Sequence, residues 1–265
     1  MTAPVIDHKG SATPLSGLAV GAIAGLLSGL FGVGGGIVIV PGLMALAKME
    51  RRLAHGTSLA ATLPIALASA ITFAVSDKVD WPIVLALAIG SIAGAVLGTQ
   101  LLQVIDKRLL VIVFVATILA TAVRLVLTDE TTGRGDLTVG MFLALVGIGL
   151  LTGTLAGLLG IGGGVVMVPA MIVLFSIDPV VAKGTSVAVI VPTSIMGTLR
   201  NRKKANVDLP VAIAVGCAGV ASAVIGSLIS TSISDTVANA MFAVLLVVVA
   251  GLQLRTLRTS PAAST

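Results

Sequence analysis

The sequence predicts an all-α integral membrane protein made of two inverted repeats, each with three ordinary spans and a glycine-broken helical hairpin, giving eight to ten helical segments. Three observations predict it: an extreme apolar composition, an internal duplication at a fixed offset, and the placement of the basic residues. Apolar residues make up 57% of the chain and charged residues 10%, against roughly 25% charged in a soluble domain. Mean hydropathy is +1.15. Segments of strand length with alternating polarity are missing, which disfavours a β-barrel and leaves a helical bundle.

The duplication is ungapped: residues 24–64 return as residues 152–192, an offset of 128. Ala24 to Pro41, with Gly32, Gly34, Gly35 and Gly36, reappears as Thr152 to Pro169, with Gly160, Gly162, Gly163 and Gly164. His55-Gly56-Thr57-Ser58 through Pro64 returns as Lys183-Gly184-Thr185-Ser186 through Pro192, and Val79-Asp80-Trp81-Pro82 as Val207-Asp208-Leu209-Pro210. Duplicated apolar units interrupted by glycine are a signature of secondary transporters, in which substrate sits between two related halves.

Six apolar stretches, at 55–76, 82–103, 108–127, 183–199, 210–231 and 237–255, are each close to the roughly 20 residues that cross a hydrocarbon core. The segments carrying the glycine runs, 15–47 and 137–176, are too long for one upright crossing. Each is either one long tilted helix or two pieces that go in and come back. The organisation is therefore a tail at 1–14, a first repeat at 15–127, a linker at 128–136, a second repeat at 137–255 and a tail at 256–265. The apolar run behind the N-terminal tail has no clear small-residue cleavage site and is read as retained.

Basic residues decide between the hairpin options, because Lys and Arg favour cytoplasmic loops. If each glycine-bearing segment returns to its starting side, 12 of the 16 Lys and Arg fall inside and both termini are cytoplasmic; if each crosses once, only 6 do. The first arrangement is preferred. It gives each half an odd net number of crossings, so the halves are inverted relative to each other. Trp81, beside Lys78 and Asp80, fits an aromatic anchor at the outer interface.

The candidate chemistry lies at the glycine runs. Gly34, Gly35 and Gly36, with Gly162, Gly163 and Gly164, free backbone groups at membrane depth, where they are tolerated only inside protein or against a polar cavity. The helical pieces that follow would begin with N–H groups and a positive dipole end suited to an anion. Gly17, Gly21, Gly25 and Gly29, at four-residue spacing, read instead as helix packing, and a homodimer through that zipper is one use for it. The hydroxyls of Thr57, Ser58, Thr185 and Ser186 open the next spans, where they serve as N-caps, as substrate ligands, or both. Pro64 and Pro192 occupy matching places as kinks and candidate hinges.

The acidic residues are informative by position: all eleven lie in tails or expected loops. No buried carboxylate is available to hold a cation, bind a metal or relay a proton. No catalytic residue, metal site or cofactor is expected, and the chain is not read as an enzyme. Cys217 is the single cysteine, which excludes an intrachain disulfide or thiol redox pair. His55 and its repeat partner Lys183 are expected at the two mouths, where they attract an anion and where His55 can titrate. The Arg200 to Lys204 run reads as an orientation signal and headgroup contact. Nucleic-acid binding is not supported, since basic residues are not interleaved with aromatics.

The paired motifs, Gly25 to Pro41 and Gly153 to Pro169, each followed by Gly-Thr-Ser and then Pro, resemble the sulfite exporter TauE/SafE family, also called the 4-toluene sulfonate uptake permeases. The likeness extends over about residues 15–255 in length, duplication and motif order. It implies transport of sulfite, sulfonates, sulfoacetate or similar anions across the bacterial inner membrane, with the hairpin glycines and Gly-Thr-Ser elements as anion-binding candidates. The Arg200 to Lys204 run matches no substrate motif. The expected function is a secondary transporter that exports a small sulfur-containing anion by rocking its hairpins against the remaining spans. Uptake of an organic anion by the same fold, an anion channel and a membrane scaffold that moves nothing are the alternatives. The expected partners are the small anionic substrate and the lipid bilayer.

Overall fold

Glycine, proline and aspartate divide the chain into helices in the computed structural model, which describes residues 14–101, 115–116, 119, 122–123, 137–159 and 163–259. Nine helices stand among the described residues: α1 (Pro14–Phe31), α2 (Gly36–Leu46), α3 (Arg51–Val75), α4 (Trp81–Leu101), α5 (Val139–Leu159), α6 (Gly164–Phe175), α7 (Pro179–Lys203), α8 (Leu209–Ser232) and α9 (Asp235–Thr259). No strand occurs among those residues. The expected span at 108–127 lies almost wholly outside them; the five described positions within it are helical.

The long segments are each two helices. Gly32, Gly34, Gly35 and Gly163 take positive φ, from 70° to 77°, a conformation in which a Cβ is strained. The helix must therefore stop and restart there. Gly35 lies against Ala24 and Gly42 against Val20, so α2 runs back along α1 as a hairpin. Gly163 lies against Thr152 in the same way, 128 residues on. The return arms α2 and α6 have 11 and 12 residues, about 16 and 18 Å at 1.5 Å per residue. That is about half of a hydrocarbon core of roughly 30 Å, so the return arms are too short to cross it. Four helices are long and apolar enough to do so: α3, α5, α7 and α8.

Aspartates start the later helices. The Asp178 carboxylate accepts from the N–H groups of Val180 and Val181 at 2.9 and 3.1 Å, and that of Asp208 from Val211 at 3.2 Å. Asp80 accepts from Ile83 at 3.3 Å. With Pro179 and Pro210 in the first turn, these are N-caps reinforced by proline at positions that need no N–H.

Close helix pairs form between the copies. Cβ atoms added at Gly21, Gly25 and Gly29 of α1 would run into the carbonyl oxygens of Val215, Gly219 and Ala223 of α8. Gly149 and Gly153 of α5 stand in the same relation to Leu87 and Ser91 of α4. Both pairs run parallel in register. Small residues let the backbones touch, the usual basis of helix association in lipid. The zipper face at Gly21, Gly25 and Gly29 is thus filled by α8 from within the chain. At Gly17 an added Cβ would only meet Val215 at 3.8 Å. Gly25→Leu should therefore destabilise the protein by at least the roughly 1–3 kcal/mol of core overpacking, while Gly17→Leu should leave it near wild type. Thermal unfolding of both variants in detergent checks this.

The two copies also exchange polar contacts. Thr57 Oγ1 accepts from the Asp208 N–H at 3.0 Å, and Thr185 Oγ1 from the Asp80 N–H at 3.0 Å. Residues 57 and 208 of one bond become 185 and 80 of the other under the 128 offset. At the centre α3 and α7 run antiparallel, with Leu59 against Gly197 and Phe73 against Gly184. Each return arm has its own apolar core. Ile39 and Leu43 pack with Val20, Ile65 and Val215, and Met167 and Met171 with Leu87, Val189 and Phe242.

Candidate functional site at the hairpin tips

The tips of the two hairpins meet in the buried middle of the bundle. Gly32 to Gly36, Gly163 and Gly164 are all buried. A Cβ on Gly164 would strike the Gly32 carbonyl and stand 2.9 Å from both Val33 Cα and the Ser186 hydroxyl. A Cβ on Gly34 would stand 2.9 Å from Ile190 and 3.4 Å from Thr62. Each tip is therefore in contact with α7, and the first also with α3. Gly162 lies outside the described residues.

Backbone donors gather at the same place. The hydrogen-bond ladders of α2 and α6 begin at Val38 and Val166, whose N–H groups reach the Gly35 and Gly163 carbonyls at 3.0 and 3.1 Å. The N–H groups of Gly36, Ile37, Gly164 and Val165 precede those ladders. They carry the positive end of each helix dipole. Since Gly35 and Gly163 are in the left-handed region, Gly35→Leu would strain the backbone and collide with Ala24, 2.8 Å from the added Cβ. Such a variant reports on folding as well as on the site.

The hydroxyls expected beside the tips divide into two kinds. Thr57 and Thr185 do not cap their own helices. α3 begins at Arg51 and α7 at Pro179, six residues earlier, and the two threonines instead accept from the residues that open α8 and α4. They join the two halves. Thr57→Val and Thr185→Val should each cost about 1–2 kcal/mol of stability, because each leaves a loop N–H unpaired; thermal unfolding of the purified variants checks this. Ser58 and Ser186 are fully buried, and Ser186 Oγ has no hydrogen-bond partner among the described residues.

Sequence reasoning missed further hydroxyls. Ser28, Thr62, Ser69, Ser194 and Thr198 also present buried oxygens without partners among the described residues. Such a group costs about 1–3 kcal/mol when left unmade, so it needs something to bind. The one visible signal is the four-residue step from Ser186 through Ile190 to Ser194 and Thr198.

Lys183 is the principal correction. It is not a solvated residue at a mouth: α7 starts four residues before it, and its side chain is fully buried. Its backbone lies against Gly32, with Lys183 Cα 2.6 Å from an added Cβ there. Its ammonium stands 5.4 Å from the centroid of Phe242, a cation–π distance. Phe242 in turn stacks on Phe31, the residue before the first break, with centroids 5.8 Å apart. His55, its counterpart, is half-buried in α3. Pro64 and Pro192 lie inside α3 and α7, which continue through them; Pro64 packs on Gly216 of α8.

Among the described residues, the acidic side chains keep away from this centre. Glu50, Asp77, Asp80, Asp178 and Asp208 all lie in loops or at helix starts. No group of three or more His, Cys, Asp or Glu that could hold a metal ion occurs among the described residues. The Arg200 guanidinium donates to the carbonyls of Ala95 and Val96 on α4, while Arg202, Lys203 and Lys204 are exposed.

The family model of the sulfite exporter TauE/SafE matches residues 3–127 and 145–265. The chain is 30% identical over 220 residues to the "Probable membrane transporter protein YunE" of Bacillus subtilis (strain 168), covering 74% of this chain and 81% of that protein. It is 28% identical over 237 residues to a "Probable membrane transporter protein" of Xylella fastidiosa (strain 9a5c), covering 87% and 90%. It is 30% identical over 190 residues to the "Probable membrane transporter protein MJ0441" of Methanocaldococcus jannaschii, covering 68% and 69%. No solved structure matches it. The glycine-broken hairpins thus belong to a family match that covers nearly the full length, and the chain belongs to the sulfite exporter TauE/SafE family of multi-pass membrane transporters.

Proposed function

We propose that the chain is a secondary transporter that exports small sulfur-containing oxyanions or organosulfonates, such as sulfite or sulfoacetate, across a bacterial inner membrane. The observation that carries this reading is the convergence of two helix N-termini and the unpartnered, fully buried Ser186 hydroxyl at one point. Donors without carboxylates suit an anion, and a few hydrogen bonds hold it weakly enough to release it. Gly34, Gly35, Gly36, Gly163 and Gly164 shape the cradle, with Ser58 and Ser186 as its hydroxyls. Lys183, whose backbone lies against Gly32 and whose amine stands over Phe242, supplies the charge. The export direction rests on the family description.

The antiparallel pairing of α3 with α7, together with contacts that recur at the 128 offset, supports inverted halves. Lys48, Arg52, Arg202, Lys203 and Lys204 are exposed and lie on one side, where Gly56 meets Asn206. Lys78, Asp77, Asp80 and Asp178 gather at the other, where Gly184 meets Lys78. The basic side is the cytoplasmic one by the positive-inside rule, with both termini there. Pro64 and Pro192 are the hinges that let the hairpins rock against the remaining spans.

Flux in proteoliposomes tests the proposal. Sulfite movement should saturate, respond to an imposed pH gradient, and be competed by sulfoacetate more than by acetate. Flux of neither sulfite nor any sulfonate, in vesicles holding folded protein, would overturn the substrate class.

A further inference from the structure

We infer that the anion reaches the hairpin tips from the basic side along a hydroxyl-lined path on one face of α7, formed by Ser186, Ser194 and Thr198. This rests on the hairpin-tip reading of the site and adds the route to it. Four-residue steps place 186, 190, 194 and 198 on one helical face. Ser186 and Ser194 are fully buried, and all three hydroxyl oxygens lack a partner among the described residues. That is unusual for membrane helices, where such hydroxyls turn back on their own backbone. Thr193, Ser227 and Thr72 do so here, donating to the carbonyl four residues earlier at 2.8, 2.9 and 3.0 Å. The three on the path are not satisfied in that way.

The face has a beginning and an end. Ser186 stands at the tip, against Gly164, and Thr198 stands two residues before Arg200 and the exposed Arg202, Lys203 and Lys204. The antiparallel contacts of Leu59 with Gly197 and of Phe73 with Gly184 bring Thr62 of α3 to about the level of Ser194, and Ser69 to about that of Ser186. Both of those hydroxyls are also buried without partners among the described residues. Duplication explains Ser186, whose counterpart is Ser58, but not the other hydroxyls. The residues 128 before Ser194 and Thr198 are Ala66 and Ala70, and those 128 after Thr62 and Ser69 are Ile190 and Gly197. Hydroxyls were placed at successive levels by one half or the other, as a continuous polar lining requires and helix packing does not.

Cysteine accessibility tests the path. Ser194→Cys and Thr198→Cys, each with Cys217→Ser, would be treated in inside-out vesicles with an anionic, membrane-impermeant methanethiosulfonate. Ile195→Cys, whose native side chain is 43% exposed on the outer face of the same helix, is the control. Modification at 194 and 198 should be at least tenfold faster than at 195, and sulfoacetate should slow it; sulfite itself would consume the reagent. Fast modification that no sulfonate slows would uphold the path and remove the sulfur-anion reading. Rates at 194 and 198 no faster than at 195 would overturn the path. The near-isosteric Thr198→Val should separately lower flux severalfold with an unchanged melting temperature; full flux in that variant would also count against the path.

Discussion

Lys183→Met is expected to lower the initial rate of anion transport about a hundredfold while the protein still folds. Lys183 is a fully buried lysine whose backbone lies against Gly32 at the first hairpin break, three residues before Ser186 on the same helix. Loss of about 3 kcal/mol of charge attraction, the order expected at an effective dielectric near 20, is about two powers of ten in affinity. Methionine keeps most of the apolar stem and removes the amine that stands over Phe242. Lys183→Glu should abolish transport, because a carboxylate would repel the substrate. Initial flux and melting temperature measured together separate the roles. A purely structural lysine would lose stability along with flux, whereas a substrate-binding lysine loses flux at nearly constant stability.

Ser186→Ala is expected to weaken anion binding roughly 10- to 100-fold, the loss of one hydrogen bond to a charged group. Its neighbour provides an internal control. The Thr185 hydroxyl already accepts from Asp80 across the two halves, so Thr185→Val should reduce stability and leave affinity alone. Adjacent hydroxyls with opposite phenotypes are not expected if the Gly-Thr-Ser element serves capping only. Gly164→Val should remove transport altogether, since its first carbon would occupy the space between the Gly32 carbonyl and Ser186. The apparent KM for sulfite in Ser186→Ala and Thr185→Val, with the flux of Gly164→Val at equal folded content, decides the matter.

Much of the fold was legible because lipid imposes few choices: apolar runs of sufficient length become helices, and a fixed offset of 128 residues announces two copies. The glycine runs located the breaks, and the charges chose returning hairpins over single crossings. Sequence could not show how far the hairpins cross, because a break does not set the length of the arm behind it. The helix starts were misplaced for a physical reason. Apolar counting begins where charges end, whereas α3 begins at Arg51 and α7 at Pro179, behind the Asp178 cap. That error put Thr57 and Thr185 at helix ends and Lys183 at a mouth. The zipper at Gly21, Gly25 and Gly29 was correctly read as packing, but sequence did not say which helix fills it. Thr62, Ser194 and Thr198 escaped notice because serine and threonine in membrane helices ordinarily bond their own backbone.

The most direct test of the hairpin-tip site is sulfite flux from proteoliposomes containing wild-type, Thr185→Val or Ser186→Ala protein at equal folded content. Saturable flux that survives in Thr185→Val and falls at least tenfold in Ser186→Ala is the predicted result. Equal flux in all three, or flux that rises linearly with sulfite concentration, would contradict an anion site at the meeting of the two hairpins.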